Sequence, residues 1–280
     1  MKKKFALIWL LFSLSGIQIS LAATVDTVMT YSASMKKNIK AVVIKPDPGQ
    51  VTGPLPVVYL LHGHGGNYAN WISRVPELKA YADQYQMLIV CPDGNFSSWY
   101  FDSIEQTGSK YETYIAVELV AWIDKNYPTQ KNRMGRAITG LSMGGHGALY
   151  LAFKHQDIFG AAGSMSGGLD LRPFPNNWSI ASHLGKYAEN PEKWDNNSVI
   201  NLTHLLTSGS LKLIIDCGTG DFFYAVNTAF HRKLLDRNIP HDFISRPGVH
   251  NWDYWKNSVQ YQLLFMSNFF RNVKSEKLSN

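Results

Sequence analysis

The chain is short of charge, of cysteine and of long apolar runs, and each shortage closes off a class of protein. Only 17% of its 280 residues are charged, with 27 Lys and Arg set against 21 Asp and Glu. No Lys/Arg cluster gathers the formal excess of +6 into one patch, so nothing points to nucleic acid. Beyond the first residues, no apolar run is long enough to span a membrane. Two cysteines are too few for a disulfide framework. No internal repeat appears, and no linker is long enough to divide the chain.

What is present begins with an export pattern. Met1-Lys2-Lys3-Lys4 is a basic start, residues 5–14 are apolar, and Ser20-Leu21-Ala22 puts small residues where a signal peptidase reads. This predicts a signal peptide over residues 1–22, cleaved after Ala22. Losing Lys2, Lys3 and Lys4 takes the basic count from 27 to 24 against 21 acidic residues, a balance of +3. No Cys follows the apolar stretch to carry a lipid. The expected product is secreted or periplasmic, without a stable membrane anchor. Residues 23–280 suit one α/β domain.

Weak alternation over residues 24–45 predicts two antiparallel strands before Pro46-Asp47-Pro48-Gly49. Residues 54–61 are a near-continuous apolar run, the mark of a strand buried on both faces. Further strands are expected at 87–91, 137–140, 159–166, 211–215 and 242–246. Helical patterns fall at 76–85, 111–127, 223–238 and 252–273, and another opens after residue 142. This alternation predicts an α/β fold with a mostly parallel, doubly wound sheet of about eight strands and helices on both faces. Residues 169–210 break the rhythm with Pro173, Pro175, Pro191, Trp178 and Trp194, and are expected to form a pocket wall or partial cap. Cys91 and Cys217 end strands that are not neighbours in such a sheet. At about 4.8 Å per strand they cannot bridge, so two free, mostly buried thiols are expected.

The chemistry centres on Gly140-Leu141-Ser142-Met143-Gly144-Gly145, where an apolar run ends and a helical pattern begins. A Ser at the apex of a strand–turn–helix is a nucleophile elbow, and the sharp turn needs Gly on both sides. A Ser hydroxyl needs a base, and the base needs an orienting acid. The order Ser, acid, His is met by Ser142, Asp221 and His250. Asp216 follows the same strand as Asp221. It directly continues Leu213-Ile214-Ile215, which suits structural hydrogen bonds, whereas Asp221 comes after Gly218-Thr219-Gly220 and can turn toward His250. The oxyanion donors are expected to be the backbone N–H groups of Met143 and of His64, within His62-Gly63-His64-Gly65-Gly66. His62-x-His64 also resembles a metal pair, but no further ligands follow at zinc-like spacing, so no metal and no cofactor are expected. Trp99 and Tyr100 are candidates for lining the substrate pocket. Trp252 and Trp255 are expected to pack the last helix and hold the loop of His250.

Together these motifs resemble the esterase D family of α/β-hydrolases. Its marks here are Leu60-Leu61-His62-Gly63-x-Gly65-Gly66, the Ser142 elbow, Asp216-Cys217-Gly218-Thr219-x-Asp221 and Gly248-x-His250-x-Trp252. The resemblance covers nearly all of residues 23–280. Ser97-Ser98-Trp99-Tyr100 and Lys110-Tyr111-Glu112-Thr113 look closest to the tributyrin-type and feruloyl esterase branches, related to S-formylglutathione hydrolases and mycolyltransferases. It implies an α/β-hydrolase fold, Ser142 as nucleophile, Asp221 as acid, His250 as base, and His64 with Met143 as oxyanion donors. Many members have a small or apolar residue where this chain has His64. The expected activity is a serine carboxylesterase acting on short-chain, acetyl or feruloyl esters, as small molecules or attached to polysaccharide. An acyltransferase using the same three residues is the second reading, and a non-catalytic carbohydrate-binding protein the third.

Overall fold

The protein is described by a computed structural model over residues 22–278. The predicted signal peptide lies outside the described residues, apart from Ala22. Two strands, β1 (Thr24–Ser32) and β2 (Lys37–Lys45), form the expected antiparallel hairpin. After them come β3 (Val57–Leu61), β4 (Leu88–Pro92), β5 (Arg136–Gly140), β6 (Ala161–Met165), β7 (Lys212–Gly218) and β8 (Asp242–Arg246). All eight join one sheet in the order β1-β2-β4-β3-β5-β6-β7-β8. Only the β1–β2 and β2–β4 pairings are antiparallel. Cys91 in β4 and Cys217 in β7 are not on neighbouring strands, and both are buried and free.

Between the strands lie α1 (Asn70–Arg74), α2 (Leu78–Tyr85), α3 (Tyr111–Thr113), α4 (Val120–Asn126) and α5 (Met143–Lys154). Then follow α6 (Ala181–Leu184), α7 (Pro191–Asn197), α8 (Tyr224–Asp236) and α9 (Trp252–Leu278). The side-chain alternation of β3 explains why helices cover both faces. Val57, Tyr59 and Leu61 belong to one core, shared with Ile123 of α4, Leu149 of α5 and Phe230 of α8. Val58 and Leu60 belong to the other, shared with Leu78 of α2 and Leu263 of α9. Each such side chain taken out of water contributes about 1.5–3 kcal/mol before entropy is counted.

Two elements differ from expectation. The segment predicted as one regular helix over 111–127 contains a π-helical stretch, Tyr114–Leu119, between α3 and α4. The wider turn brings Tyr114, Ile115, Ala116 and Leu119 all inside, more than one helical stripe would bury. The five-residue α1 was not expected, since five residues carry no readable period.

The strand order places the site. β3 lies between β4 and β5, so the chain crosses from one side of β3 to the other. Crevices open at the carboxyl ends of the strands where the order reverses. Leu61 pairs with Gly140 there, which sets the turn after β3 beside Ser142.

Candidate active site

Ser142 sits between β5 and α5 at φ 54°, ψ −118°, a region that side chains rarely occupy. Holding it there costs about 1–3 kcal/mol, which the surroundings must offset. Two glycines make the turn fit. A Cβ on Gly144 would lie 2.6 Å from the carbonyl oxygens of Leu61 and His62, and one on Gly140 would lie 2.6 Å from the backbone of Gly144. The amino end of α5 therefore presses directly on β3. The Ser142 N–H donates to the Met165 carbonyl of the next strand, at 2.9 Å.

The structure brings Ser142, His250 and Asp221 together from three separate loops. Ser142 Oγ is 2.9 Å from His250 Nε2, and His250 Nδ1 is 2.8 Å from Asp221 Oδ2. A carboxylate only accepts, so Nδ1 carries the ring proton and Nε2 is left to accept from the Ser hydroxyl. Asp221 is fully enclosed, and its Oδ1 accepts the Phe223 N–H at 2.8 Å. The loops of the acid and the histidine are tied to each other by backbone bonds. Thr219 N–H donates to Arg246 O, and Gly220 N–H to Gly248 O. A Cβ on Gly218 would lie 2.5 Å from the Gly248 carbonyl oxygen, so only Gly lets the loops approach this closely. Asp216, the other candidate acid, is turned away. Its carboxylate accepts from Arg246 Nη1 at 2.9 Å and from the Tyr254 hydroxyl.

The turn after β3 is held by His62. The Gly94 N–H donates to His62 Nε2 at 2.7 Å, so Nδ1 bears the proton and donates to Gly63 O at 2.8 Å. Both ring nitrogens are thereby committed to the backbone, which leaves none for a metal. Burial pushes this imidazole's pKa down, against the opposing pull of the Gly63 carbonyl and Asp93. Within the turn, Gly65 N–H and Gly66 N–H are used by Phe96 O and Gly63 O. The N–H of His64 has no acceptor among the described residues, and Met143, first in α5, has no intrahelical partner for its own. The His64 ring lies edge-on to Phe96 at 4.7 Å, and burial lowers its pKa.

These groups open into a cleft of about 450 Å³, lined by the 63–66 turn, Asn70, Arg74, Leu141, Ser142, Trp178, Phe222, His250, Trp252 and Trp255. That is an ordinary volume for a small-molecule site. Phe222 covers the His250 ring at 4.2 Å and stacks on Trp178 at 5.4 Å. Trp255 meets the same His edge-on at 4.8 Å, and Trp252 packs against Trp255 at 5.5 Å. A second cavity, of about 380 Å³, lies where β7 and β8 begin, near Lys212 and Asp242, at the opposite end of the sheet.

The expectation that Trp99 and Tyr100 line the pocket is corrected. They are 1% and 0% exposed and do not reach the cleft. Trp99 donates its indole N–H to Trp178 O and so backs the wall from inside. Tyr100 donates its hydroxyl to His62 O, and its ring fills the space left by Gly94 and Gly147. Trp178 walls the cleft from the 169–210 segment expected to do so, whereas Phe222, which walls it beside His250, was missed. Position was the available signal for Phe222, which directly follows Asp221.

His146 lies in α5, four residues after Ser142, buried against Trp99, Phe101 and Tyr150. Its Nε2–H donates to Asn197 O at 2.8 Å. Burial lowers its pKa from 6.5 to about 4, although the carbonyls of Asn197 and Trp99 favour the charged form. The unfolded chain takes up this proton near pH 6.5 and the folded one only near 4, so the stabilisation is complete above 6.5 and is lost as pH falls toward 4. A His146→Gln variant is expected to show a flatter dependence of Tm on pH across that interval, read by thermal unfolding. An unchanged slope would assign the acid sensitivity to other groups.

Comparison with known proteins places the chain. The model of the Esterase family, described as putative esterase, matches residues 32–266. An acetyl esterase of Caldicellulosiruptor saccharolyticus is 28% identical over 260 residues, covering 85% of this chain and 96% of that protein. The diacylglycerol acyltransferase/mycolyltransferase Ag85B of Mycolicibacterium smegmatis is 27% identical over 275 residues, covering 84% of this chain and 82% of that one. Among solved structures, a ferulic acid esterase superposes with a TM-score of 0.77 at 28% identity, over 89% of this chain and 99% of that one. The resemblance read from the motifs and the eight-stranded, mostly parallel sheet agree with these relatives. The chain belongs to the Esterase family, as a serine esterase of the α/β-hydrolase fold.

Proposed function

We propose that Ser142 is the nucleophile, His250 the general base and acid, and Asp221 the group that orients His250 and stabilises its charged form. The observation that carries this is the unbroken pair of hydrogen bonds from Ser142 Oγ to His250 and from His250 to Asp221. Ser142 Oγ attacks the ester carbonyl carbon while its proton passes to His250 Nε2. The carbonyl oxygen takes up the negative charge and is held by the N–H groups of His64 and Met143. His250 then gives its proton to the departing alcohol oxygen, leaving an acyl group on Ser142. Water, deprotonated by His250, attacks that acyl group, the bond from the acyl carbon to Ser142 Oγ breaks, His250 returns the proton to Oγ, and the acid leaves.

The substrates proposed are short-chain, acetyl or feruloyl esters, small or attached to polysaccharide. Support comes from the acetyl esterase and ferulic acid esterase relatives and from the modest cleft, whose Trp178–Phe222 pair offers a flat apolar face. Residues 169–210 act as a wall of the cleft, through Trp178, within one domain. Export rests on the basic and apolar start of the sequence. Among the described residues no helix is long and apolar enough to cross a membrane.

The second reading is acyl transfer to an alcohol, which the mycolyltransferase relative favours and which the same three residues would serve. One experiment separates the two. Residues 23–280 are given p-nitrophenyl acetate, butyrate and octanoate and methyl ferulate, with and without a sugar alcohol in excess. Hydrolysis is expected on the shorter esters or the ferulate, with free acid as the main product. A new sugar ester as the main product would establish transfer instead, and inertness on all four would overturn the esterase assignment of this cleft.

A further inference from the structure

Among the described residues that line the cleft, the only side chain with a formal charge at neutral pH is Arg74. Asp221 stands behind His250 with its side chain fully enclosed. Arg74 is exposed, and no carboxylate pairs with it among the described residues. Its guanidinium lies over the Trp252 ring, 6.0 Å from the centroid. That ring is itself a fixed platform, set edge-on between Trp71 at 5.2 Å and Trp255 at 5.5 Å. Trp71 is anchored in turn by its indole N–H on Leu61 O, at 2.9 Å. Stacking limits the orientations of the guanidinium without neutralising it.

A second donor stands on the same helix face. Asn70 and Arg74 are four residues apart on α1, and both line the cleft. Asn70 Oδ1 accepts the Asn67 N–H at 2.8 Å, so the amide is fixed and its NH2 has no acceptor among the described residues. A cation and an amide donor therefore share one side of a cleft that holds no open carboxylate. A neutral ester would leave that cation to water alone.

The aromatic contacts link Arg74 to the face of His250 that Trp255 covers. Trp255 touches His250, Trp252 touches Trp255, and Arg74 lies over Trp252. Phe222 and Trp178 hold another side of His250. His250 Nε2 delivers its proton to the leaving oxygen, so the alcohol portion departs along the imidazole. We propose that Arg74, helped by Asn70, binds an anionic group on the alcohol portion of the ester, a carboxylate or a phosphate, making acidic hydroxylated compounds the preferred alcohols. This deepens the esterase proposal above and rests on it.

The test uses matched acetyl esters whose alcohols differ only in charge. They are 4-acetoxybenzoate against 4-acetoxybenzamide, and 4-acetoxyphenyl phosphate as the phosphate arm. Phenyl succinate against phenyl succinamate puts the charge on the acyl side. The quantity read is the ratio of kcat/KM for the anion to that for its neutral partner, which does not depend on the folded fraction. Arg74→Gln is expected to lower the ratio for the acetoxybenzoate pair about fivefold at low salt, through KM, and Arg74→Glu to lower it further. The difference should shrink as salt is raised. Whichever of carboxylate and phosphate shows the larger loss names the anion. An equal ratio in wild type and Arg74→Gln would overturn the proposal, and a change confined to the succinate pair would overturn its placement on the alcohol. If the neutral esters are hydrolysed in a Ser142-dependent way while the ratio stays put, this inference alone fails. If wild type hydrolyses none of them through Ser142, the esterase proposal fails and this one with it.

Discussion

Replacing Ser142 with alanine is expected to lower kcat/KM for p-nitrophenyl acetate by about four to six orders of magnitude. Removing the hydroxyl leaves His250 Nε2 without its 2.9 Å partner and leaves no atom on which an acyl group could form. The remaining rate would come from water attack helped by the donors of the 63–66 turn, about a thousandfold above solution. Stability should change little. The strained backbone at φ 54° is set by Gly140, Gly144 and the bond to Met165, none of which involves the side chain. Initial rates, thermal unfolding and mass spectrometry after treatment with a fluorophosphonate make the check. Wild type should gain one adduct on the peptide holding Ser142, and Ser142→Ala none. Activity within tenfold of wild type would move the nucleophile elsewhere.

Much of this site is legible in the amino-acid sequence because the oxyanion turn and the nucleophile turn each end a strand buried on both faces. The strand run over 57–61 stops at His62-Gly63-His64-Gly65-Gly66, and β5 stops at the Ser142 turn. A strand buried on both faces cannot hide its apolar pattern, so the parallel sheet and the location of the site follow together. The glycines are legible for the same physical reason. At Gly144 the absent side chain is what lets α5 touch β3.

What is not legible depends on packing that no period encodes. Trp99 and Tyr100 stand in a long loop and both adopt positive φ, 51° and 62°. The burial of Tyr100 depends on Gly94 and Gly147, where any Cβ would run into its ring. A glycine inside α5 costs about 1 kcal/mol relative to alanine, and Gly147 is the one sign in the sequence that a large side chain enters there. Arg74 and Asn70 are hidden because α1 spans only five residues. The π-helical stretch at 114–119 keeps an apolar face, so its sequence looks like ordinary helix.

The choice between Asp216, within β7, and Asp221, just after it, leads to the other large effect. Asp221→Asn is expected to lower kcat about ten-thousandfold with little change in KM. Asp221 faces two donors, His250 Nδ1–H through Oδ2 and Phe223 N–H through Oδ1. An amide has one acceptor oxygen, so its NH2 must meet one of those donors. Turned toward His250, it forces the ring proton onto Nε2, which then can no longer take the proton of Ser142. Asp216→Asn should do something different. Asp216 accepts from Arg246 and Tyr254 beneath the Gly248 turn. Burial pushes its carboxyl pKa up even though Tyr254, Arg246 and Ser258 favour the ion, so the charge there is already costly. Losing it should remove about 1–3 kcal/mol of stability by leaving Arg246 or Tyr254 poorly matched, while kcat stays within about tenfold. Tm and single-turnover rates on both variants separate the roles. A ten-thousandfold loss in Asp216→Asn with a nearly normal Asp221→Asn would exchange the two assignments, since one partner of His250 must carry the orientation of its ring.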